Sequence, residues 1–233
     1  MTPPPAAIAA MKDAAARAAV GEIEAGMLVG LGTGSTAAYA IAALGRRVHG
    51  GLTVRAVATS QETATRACAA GIAVLAMDDL AAIDLAIDGV DEIDPAFRAI
   101  KGAGGAMLRE RVVASAAARM IAIADETKAV PRLGAKRLPV EVVPSARAFA
   151  AARLRDLGGE PVLRMDGADA AHTDQGNIVL DCRFAEIGEL ALLDRAIGSI
   201  AGVVAHGLFL VEIDALCLGT ARGMVVTERK GDK

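Results

Sequence analysis

Short aliphatic runs alternate with helix-like segments along the first half of the chain. The runs that predict strands cover residues 27–31, 53–58, 72–76, 85–87 and 120–124, and the segments that predict helices cover 6–24, 35–44, 61–70 and 107–118. Strands buried on both faces read as continuous apolar stretches, and strands that alternate with helices form parallel sheets. The first half therefore predicts an α/β fold in which helices cover a parallel sheet.

The pattern changes near Pro131. Apolar stretches that predict strands then cover 139–143, 161–165, 177–181 and 202–206, with predicted helices at 145–157 and 189–197. The resulting order, β-α-β-β-α-β, is that of a split βαβ unit and predicts a second, smaller α+β domain. Two further runs, 215–218 and 224–227, are expected to return to the first sheet.

The composition allows a large core and disfavours a nucleic-acid-binding protein. Of the 233 residues, 54% are hydrophobic and only 2% are aromatic, which suits helices packed on an aliphatic sheet better than a surface that stacks bases. The formal net charge is −3 and the sequence has no long basic run, so nucleic acid is not expected as a partner.

Cysteine and histidine are too scattered to suggest a disulfide framework or a zinc site. They stand at Cys68, Cys182, Cys217, His49, His172 and His206. An odd number of distant cysteines predicts reduced thiols, and no pair of ligands has zinc spacing. The N-terminal residues do not resemble a signal peptide and no apolar stretch is long enough to span a bilayer, so we expect a cytoplasmic protein without a membrane partner.

A glycine-rich turn, GLGTGST at 30–36, follows the first predicted strand. Glycines that lead into a helix N-terminus suit an anion, although a plain turn with a Ser or Thr cap explains the stretch about as well. Residues 32–37 also match the dinucleotide pattern G-x-G-x-x-A. A dinucleotide site also needs an acidic residue at the end of the second strand, where this chain has Thr59 and Ser60. A Walker loop needs a lysine after the glycines, and this sequence has none there.

Four acidic residues crowd the end of the predicted strand at 85–87. They are Asp88, Asp91, Glu92 and Asp94. For Glu92 and Asp94 we prefer a turn-capping interpretation. For Asp88 and Asp91, crowding is expected to raise at least one pKa, which suits proton handling. Carboxylates can also hold magnesium, but nothing nearby supplies a triphosphate that would justify the ion.

A second glycine-rich loop, KGAGG at 101–105, also leads into a helix. Glu110 falls about one turn into that helix, where apolar walls could tune it as a general base. Taken alone, a glutamate at this place is better explained as a solvated side chain paired with neighbouring arginines, here Arg109 and Arg111.

Two lysines are candidates for neutralising an anion. Lys128 lies in DETK at 125–128, directly after the predicted strand at 120–124. The alternative interpretation of this stretch is an Asp125 helix cap followed by a surface lysine. Lys12, in the first predicted helix, is a weaker candidate of the same kind.

In this order, the motifs resemble ribose-5-phosphate isomerase of type A. The matching stretches are 32–36 (GTGST), 88–92 (DGVDE), 101–105 (KGAGG) with Arg109 and Glu110, Lys128, 138–144 (LPVEVVP), 173–177 (TDQGN) and 206–209 (HGLF). Each stretch alone is a weak signal, whereas the ordered set is specific and spans nearly the whole chain. Two features depart from the family pattern: Val90 replaces the usual alanine, and 210–214 lacks the glycine expected after Phe209.

The resemblance implies an enzyme of the pentose phosphate pathway that interconverts D-ribose 5-phosphate and D-ribulose 5-phosphate without a metal or cofactor. It maps the base onto Glu110, ring opening onto Asp88 and Asp91, and a further catalytic group onto Lys101. The substrate-binding positions that it implies are Thr33, Gly34, Ser35, Thr36, Gly89, Val90, Gly102, Ala103, Gly104, Lys128 and Lys12.

The resemblance also implies a domain organisation and an assembly. A Rossmann-like domain would comprise residues 1–130 and 207–233, with a ferredoxin-like α+β domain of residues 131–206 inserted near the C-terminus. Members of the family are usually homodimers or homotetramers, so we expect one of these assemblies.

The chemistry of this isomerisation fits the candidate residues. Moving a carbonyl from C1 to C2 needs a base that removes a carbon-bound proton and returns it one carbon away. The reaction passes through a cis-enediolate. N–H groups of the 102–105 loop and a lysine could stabilise the negative charge on its oxygen. One rival is a non-catalytic sugar-phosphate sensor, which would need a DNA-binding helix-turn-helix that the residues before Met27 are too few to form. The other is a nicotinamide-dependent dehydrogenase, which the missing strand-end acid disfavours.

Overall fold

The computed structural model describes residues 3–78, 80–185 and 188–230. The helices are α1 Pro5–Gly21, α2 Ser35–His49, α3 Gln61–Ala69, α4 Met107–Ala116, α5 Arg147–Asp156 and α6 Leu190–Gly198, with 3-10 turns at Glu126–Lys128 and Pro144–Ala146. The strands are β1 Leu28–Leu31, β2 Arg55–Ala58, β3 Ala73–Val74, β4 Ile83–Gly89, β5 Glu92–Ile93, β6 Ala99–Ile100, β7 Ala117–Asp125, β8 Leu138–Val142, β9 Gly159–Leu163, β10 Met165–Asp166, β11 Asp169–Ala170, β12 Ile178–Phe184, β13 Val203–His206, β14 Leu208–Phe209, β15 Ala215–Thr220 and β16 Gly223–Glu228.

A seven-stranded sheet forms the centre of the molecule, in the order β16-β15-β7-β4-β1-β2-β3. Every neighbouring pair from β15 to β3 is parallel, and β16 pairs with β15 in the antiparallel direction. The predicted α/β class is therefore confirmed. The predicted return of 215–218 and 224–227 to this sheet is also confirmed, as strands β15 and β16.

Apolar clusters fill both faces of the large sheet. On one face, α1 and α2 pack through residues such as Ala15, Ala19 and Leu44. A Cβ at Gly219 of β15 would overlap the backbone of Met11 in α1. Helix α1 therefore approaches the strand more closely than a residue with a side chain at position 219 would permit. The other face is covered by α4 and by segments between the strands.

The second sheet is antiparallel and four-stranded, in the order β13-β8-β12-β9. With α5 after β8 and α6 after β12, the chain order is β-α-β-β-α-β, and the predicted split βαβ unit is confirmed. Its core contains Leu138, Val140, Leu154 and Leu180. None of the helices in the described ranges has the length and apolar character needed to cross a membrane.

A third, three-stranded sheet, β14-β6-β5, joins the other two and was not predicted. Its strands have two residues each, too few for a periodic pattern. The turn-capping interpretation of Glu92 is wrong, because Glu92 lies in β5 and its carboxylate accepts N–H groups of Gly134 (2.7 Å) and Lys136 (2.6 Å) from a distant loop. Asp94 does cap a turn, accepting the N–H groups of Ala96 and Arg98.

Helix α4 runs into β7 without an intervening loop, because α4 ends at Ala116 and β7 begins at Ala117. The sequence predicted a helix to residue 118 and a strand only from 120. The junction matters for the site because α4 begins, and β7 ends, at the same edge of the large sheet.

Candidate active site

The predicted site residues converge at the carboxyl ends of β1, β4 and β7, where ligands of open α/β sheets bind. They enclose a cavity of about 210 Å³, which is smaller than the roughly 300–1,000 Å³ of pockets for drug-sized ligands. The cavity is lined by Thr33, Gly34, Ser35, Thr36, Gly89, Val90, Asp91, Lys101, Gly102, Ala103, Gly104, Glu110 and Lys128. Two predicted residues are not in this lining: Asp88, which is buried, and Lys12, which donates to the Ser35 hydroxyl at 2.9 Å.

The turn after β1 is shaped by its close approach to Asp88. A Cβ at Gly32 would overlap the Asp88 carboxylate, and the N–H of Thr33 donates to Asp88 Oδ1 at 3.2 Å. Gly34 has φ of 111°, a conformation that favours glycine. No side chain caps the N-terminus of α2, so the turn offers backbone N–H groups and the positive end of the helix dipole to an anion.

A cluster of hydroxyl groups supports this turn from the side of β2. The Thr33 hydroxyl lies 2.7 Å from the Thr59 hydroxyl, 2.9 Å from that of Ser60 and 3.1 Å from that of Thr63. Sequence reasoning noted Thr59 and Ser60 only as replacements for an acid and missed Thr63. The strand-end acid of a dinucleotide site is thus replaced by uncharged donors that hold Thr33.

Lys101 lies at the centre of a buried charge cluster. Its Nζ is 2.8 Å from Asp88 Oδ2 and 3.5 Å from Glu110 Oε2, and it also donates to the Gly89 carbonyl. The side chains of Lys101, Asp88 and Glu110 are 2%, 5% and 3% exposed. Within the described residues, Glu110 Oε2 accepts no hydrogen bond. The Glu110 carboxyl group therefore lines the cavity, and its contact with Lys101 is an ion pair at 3.5 Å rather than a hydrogen bond.

Burial controls the protonation of this cluster. It raises the pKa of Glu110 to about 8, with Lys101 opposing the rise and Asp88 adding to it. Burial also raises the pKa of Asp88, against the opposing charge of Lys101. Burial lowers the pKa of Lys101, but the two carboxylates outweigh it, so this pKa lies above its ordinary value. The cluster therefore titrates as a unit and holds a proton readily near neutral pH.

The interpretation of Glu110 as a solvated, arginine-paired side chain is wrong. Glu110 is buried, whereas Arg109 lies 3.7 Å from Asp174 and Arg111 lies 2.6 Å from Glu212. Both partners of the arginines come from later parts of the chain, so the helix sequence alone could not identify them. With its neighbours engaged elsewhere, Glu110 faces Lys101 and the cavity.

Asp91 and the loop after Lys101 form another wall. The N–H of Ala103 donates to Asp91 Oδ2 at 3.0 Å, and the N–H of Lys101 donates to the Gly207 carbonyl at 2.8 Å. Gly102 has φ of 95°, so the chain turns sharply directly after the lysine. Asp91 is half-buried and lines the cavity, unlike Asp88.

Lys128 lies at the opposite side of the cavity from the turn after β1. It follows β7, and in the sheet order β7 and β1 flank β4. The helix cap that was the alternative interpretation of this stretch is observed, because the Asp125 carboxylate accepts the Thr127 N–H at 3.1 Å. Lys128 is half-exposed and lines the cavity.

The family model of ribose 5-phosphate isomerase A (phosphoriboisomerase A) matches residues 55–223. The chain belongs to the ribose-5-phosphate isomerase A family. The expectation drawn from the ordered motifs is confirmed, although each motif alone was a weak signal.

Curated members of the ribose-5-phosphate isomerase A family match nearly end to end. The protein of Sphingopyxis alaskensis is 50% identical over 224 residues, covering 96% of this chain and 97% of its own. That of Thermomicrobium roseum is 46% identical over 221 residues, covering 94% and 93%. Among solved structures, the Methanocaldococcus jannaschii protein has a TM-score of 0.89 at 36% identity, covering 93% of this chain and 97% of that one. A D-ribose-5-phosphate isomerase in complex with phospho-erythronic acid has a TM-score of 0.92 at 34% identity, covering 95% and 99%.

The two departures from the ribose-5-phosphate isomerase A pattern are accommodated without disturbing the sheet. Val90 lines the cavity and packs in the same apolar cluster as Ile93 and Phe209. In the stretch without the expected glycine, Arg229 donates to the carbonyls of Leu210 (3.3 Å) and Ile213 (2.6 Å). Strand β15 then pairs in parallel with β7, as the return of the chain requires.

Proposed function

We propose that this chain catalyses the interconversion of D-ribose 5-phosphate and D-ribulose 5-phosphate, through a cis-enediolate and in the pentose phosphate pathway. The observation that carries the proposal is the buried, cavity-lining Glu110 carboxyl group, which lies 3.5 Å from the Lys101 ammonium and, within the described residues, accepts no hydrogen bond at Oε2. Membership of the family and the enzyme names of its relatives support the same function. Neither rival function has such support, since the cavity is small for a dinucleotide and the charge cluster would serve no purpose in a sensor.

Glu110 acts as the base in the proposed mechanism. In the open-chain aldose, its carboxylate takes the proton from C2 and returns it to C1, while the C2 hydroxyl proton is transferred to the C1 oxygen. Lys101 and N–H groups of the 102–105 loop stabilise the negative oxygen of the enediolate. Two carboxylates hold the Lys101 ammonium, so its position is fixed before the substrate arrives.

The two aspartates take different parts in the proposed mechanism. Asp91 lines the cavity, so it is the group that moves hydroxyl protons and assists opening of the furanose ring. Asp88 is buried, accepts N–H groups of Thr33 and Gly89, and pairs with Lys101. It therefore acts as a positioning residue that ties the turn after β1 to the catalytic lysine.

The phosphate binds at the turn of residues 33–36 in this proposal. The uncapped N-terminus of α2 and the hydroxyls of the turn suit a dianion, and Lys12 reaches Ser35 at 2.9 Å. Lys128 follows β7, on the other side of β4, so it contacts the sugar rather than the phosphate. No metal or cofactor enters this mechanism.

A direct assay tests the proposed function. Purified protein is incubated with D-ribose 5-phosphate and a chelator, and formation of D-ribulose 5-phosphate is followed. We expect turnover that chelation does not reduce. Titration with NAD in parallel tests the dehydrogenase alternative. Tight binding of ribose 5-phosphate without turnover would favour the sensor, and binding of NAD instead would favour the dehydrogenase.

The pH dependence of kcat/KM tests whether Glu110 must be ionised for catalysis. Only the ionised carboxylate can accept a proton, and burial raises its pKa to about 8. We expect kcat/KM to rise with pH and to level off above about 8. The substrate phosphate titrates near pH 6, so a rise that is complete by about pH 6.5 would contradict the assignment of the limb to Glu110.

The proposal extends to the domain organisation and the assembly of the chain. We propose domains of residues 1–130 with 207–233 and of residues 131–206, which is supported by the location of β8–β13 within the second range. We further propose a cytoplasmic homodimer or homotetramer. A mean hydropathy of +0.42 and the exposed apolar side chains Met224, Val225 and Val226 of β16 support association between copies.

A further inference from the structure

Arg164, which follows β9, supports the 101–105 loop from outside the cavity. Its Nη1 donates to the carbonyl oxygens of Ala103 (3.0 Å) and Gly102 (3.3 Å). The other edge of the guanidinium group donates to Asp181 in β12, with Nε 2.8 Å from Oδ2 and Nη2 2.5 Å from Oδ1. Arg164 thus connects the small sheet to the loop.

The Arg164 guanidinium group has little freedom to move. A bidentate pair with a carboxylate fixes both the position and the plane of the group. The backbone on either side is also fixed, since the Arg164 N–H donates to the Val179 carbonyl (2.8 Å) and its carbonyl accepts the Ala171 N–H (2.9 Å). Both Arg164 and Asp181 are largely buried.

The contact determines which way the peptide groups of the loop face. In a planar trans peptide, the C=O and N–H groups point in opposite directions. Because Arg164 binds the carbonyls of Gly102 and Ala103, the N–H groups of Ala103 and Gly104 face the other side. The Ala103 N–H donates to Asp91, a cavity residue, and the Gly104 N–H has no acceptor in the described part of the chain.

We propose that Arg164, held by Asp181, is a positioning residue that presents the Gly104 N–H to the sugar oxygen on which negative charge develops. The inference rests on the proposed isomerase function. Gly104 lines the cavity in a loop whose glycines allow many conformations. Besides the Gly105 N–H bond to the Gly102 carbonyl (3.0 Å) and the Ala103 N–H bond to Asp91, Arg164 restrains this loop. A donor of this kind stabilises the transition state only when it is oriented beforehand, so its loss lowers kcat more than it weakens substrate binding.

Steady-state kinetics of Arg164→Met test this role. We expect kcat to fall about 10- to 100-fold, while KM for ribose 5-phosphate changes less than about threefold. Inhibition by phospho-erythronic acid, whose carboxylate imitates the enediolate charge, should weaken by a factor similar to the fall in kcat. Arg164→Lys retains one donor for the carbonyls and should recover part of the activity. The matched control is Arg153→Met, an exposed arginine on α5 that pairs with Asp156 and should keep wild-type kcat.

Wild-type kcat in Arg164→Met, or a loss confined to KM, would overturn the inference. If circular dichroism shows that this variant does not fold, the test is Asp181→Asn, which leaves Arg164 in place but weakens the contact that holds it. A lower kcat in Asp181→Asn supports the role of Arg164, and an unchanged kcat overturns it. The wild-type protein is assayed in the same series. An inactive wild-type protein would remove the proposed function itself, whereas an active one with equally active Arg164 variants would remove only this role.

Discussion

Glu110→Gln is expected to lower kcat by about 10²- to 10⁴-fold, which is the usual contribution of a general base. Glutamine keeps the shape of the side chain in its buried position 3.5 Å from Lys101, but it cannot accept the C2 proton. Binding should change little, because the phosphate is proposed to bind at the turn of residues 33–36 and not at Glu110. Steady-state kinetics with ribose 5-phosphate and direct titration of the substrate measure the two effects separately.

The stability of Glu110→Gln separates a chemical effect from unfolding. The pKa of Glu110 rises from an ordinary 4.5 to about 8 in the folded chain, so the native state binds this proton more tightly than the unfolded state does. Its contribution to the free energy of unfolding therefore falls as pH rises from about 4.5 to about 8. Glutamine cannot ionise, so urea unfolding at pH 8 should show a variant no less stable than the wild-type protein. Near-wild-type turnover of Glu110→Gln would remove Glu110 from the mechanism. The control is Glu160→Gln, which makes the same chemical change at an exposed position of β9.

Lys101→Met is expected to reduce both turnover and stability. The change leaves the carboxyl groups of Asp88 and Glu110 buried without their shared cation. Removing one partner of a buried ion pair costs about 3–5 kcal/mol, and losing a donor to the enediolate oxygen costs about 10²- to 10³-fold in kcat. Urea unfolding and steady-state kinetics measure the two losses.

A second substitution tests the reason for the loss of stability. If the cost of Lys101→Met comes from unpaired buried carboxylates, adding Glu110→Gln removes one of them and should restore part of the free energy of unfolding. Additive losses in the double variant would contradict the electrostatic explanation. Lys136→Met makes the same chemical change at an exposed lysine and should leave both measurements unchanged.

The large sheet could be predicted from the sequence because its strands are buried on both faces and read as continuous apolar runs. The location of the site could also be predicted, because parallel strands bring their carboxyl ends to one edge of the sheet. This is why clusters at 30–36, 88–94, 101–105 and 125–128 were expected to meet. The third sheet lies beyond such reasoning, because pairs of residues such as Glu92–Ile93 have no measurable period.

The environment of each charged group could not be predicted in the same way. Glu110 has arginines on both sides in sequence, and only the fold directs Arg109 to Asp174 and Arg111 to Glu212. The resemblance implied a catalytic role for Lys101, but it did not indicate that two carboxylates share its ammonium. Such pairings depend on contacts between distant parts of the chain, which local sequence patterns do not encode.

Under the proposed function, the direct junction of α4 with β7 bears on which sugar phosphates the cavity accepts. Glu110 lies near the start of α4 and Lys128 lies in the 3-10 turn after β7, so a helix and a strand joined without a loop connect the proposed base to this lysine. Because no loop separates the two elements, we expect the base and this lysine to shift little relative to each other when a longer carbon skeleton is offered. Under the proposed function, we expect any adjustment to a hexose phosphate to come from the glycine-containing turns at Gly34 and Gly102, so that the backbone itself would discriminate by chain length.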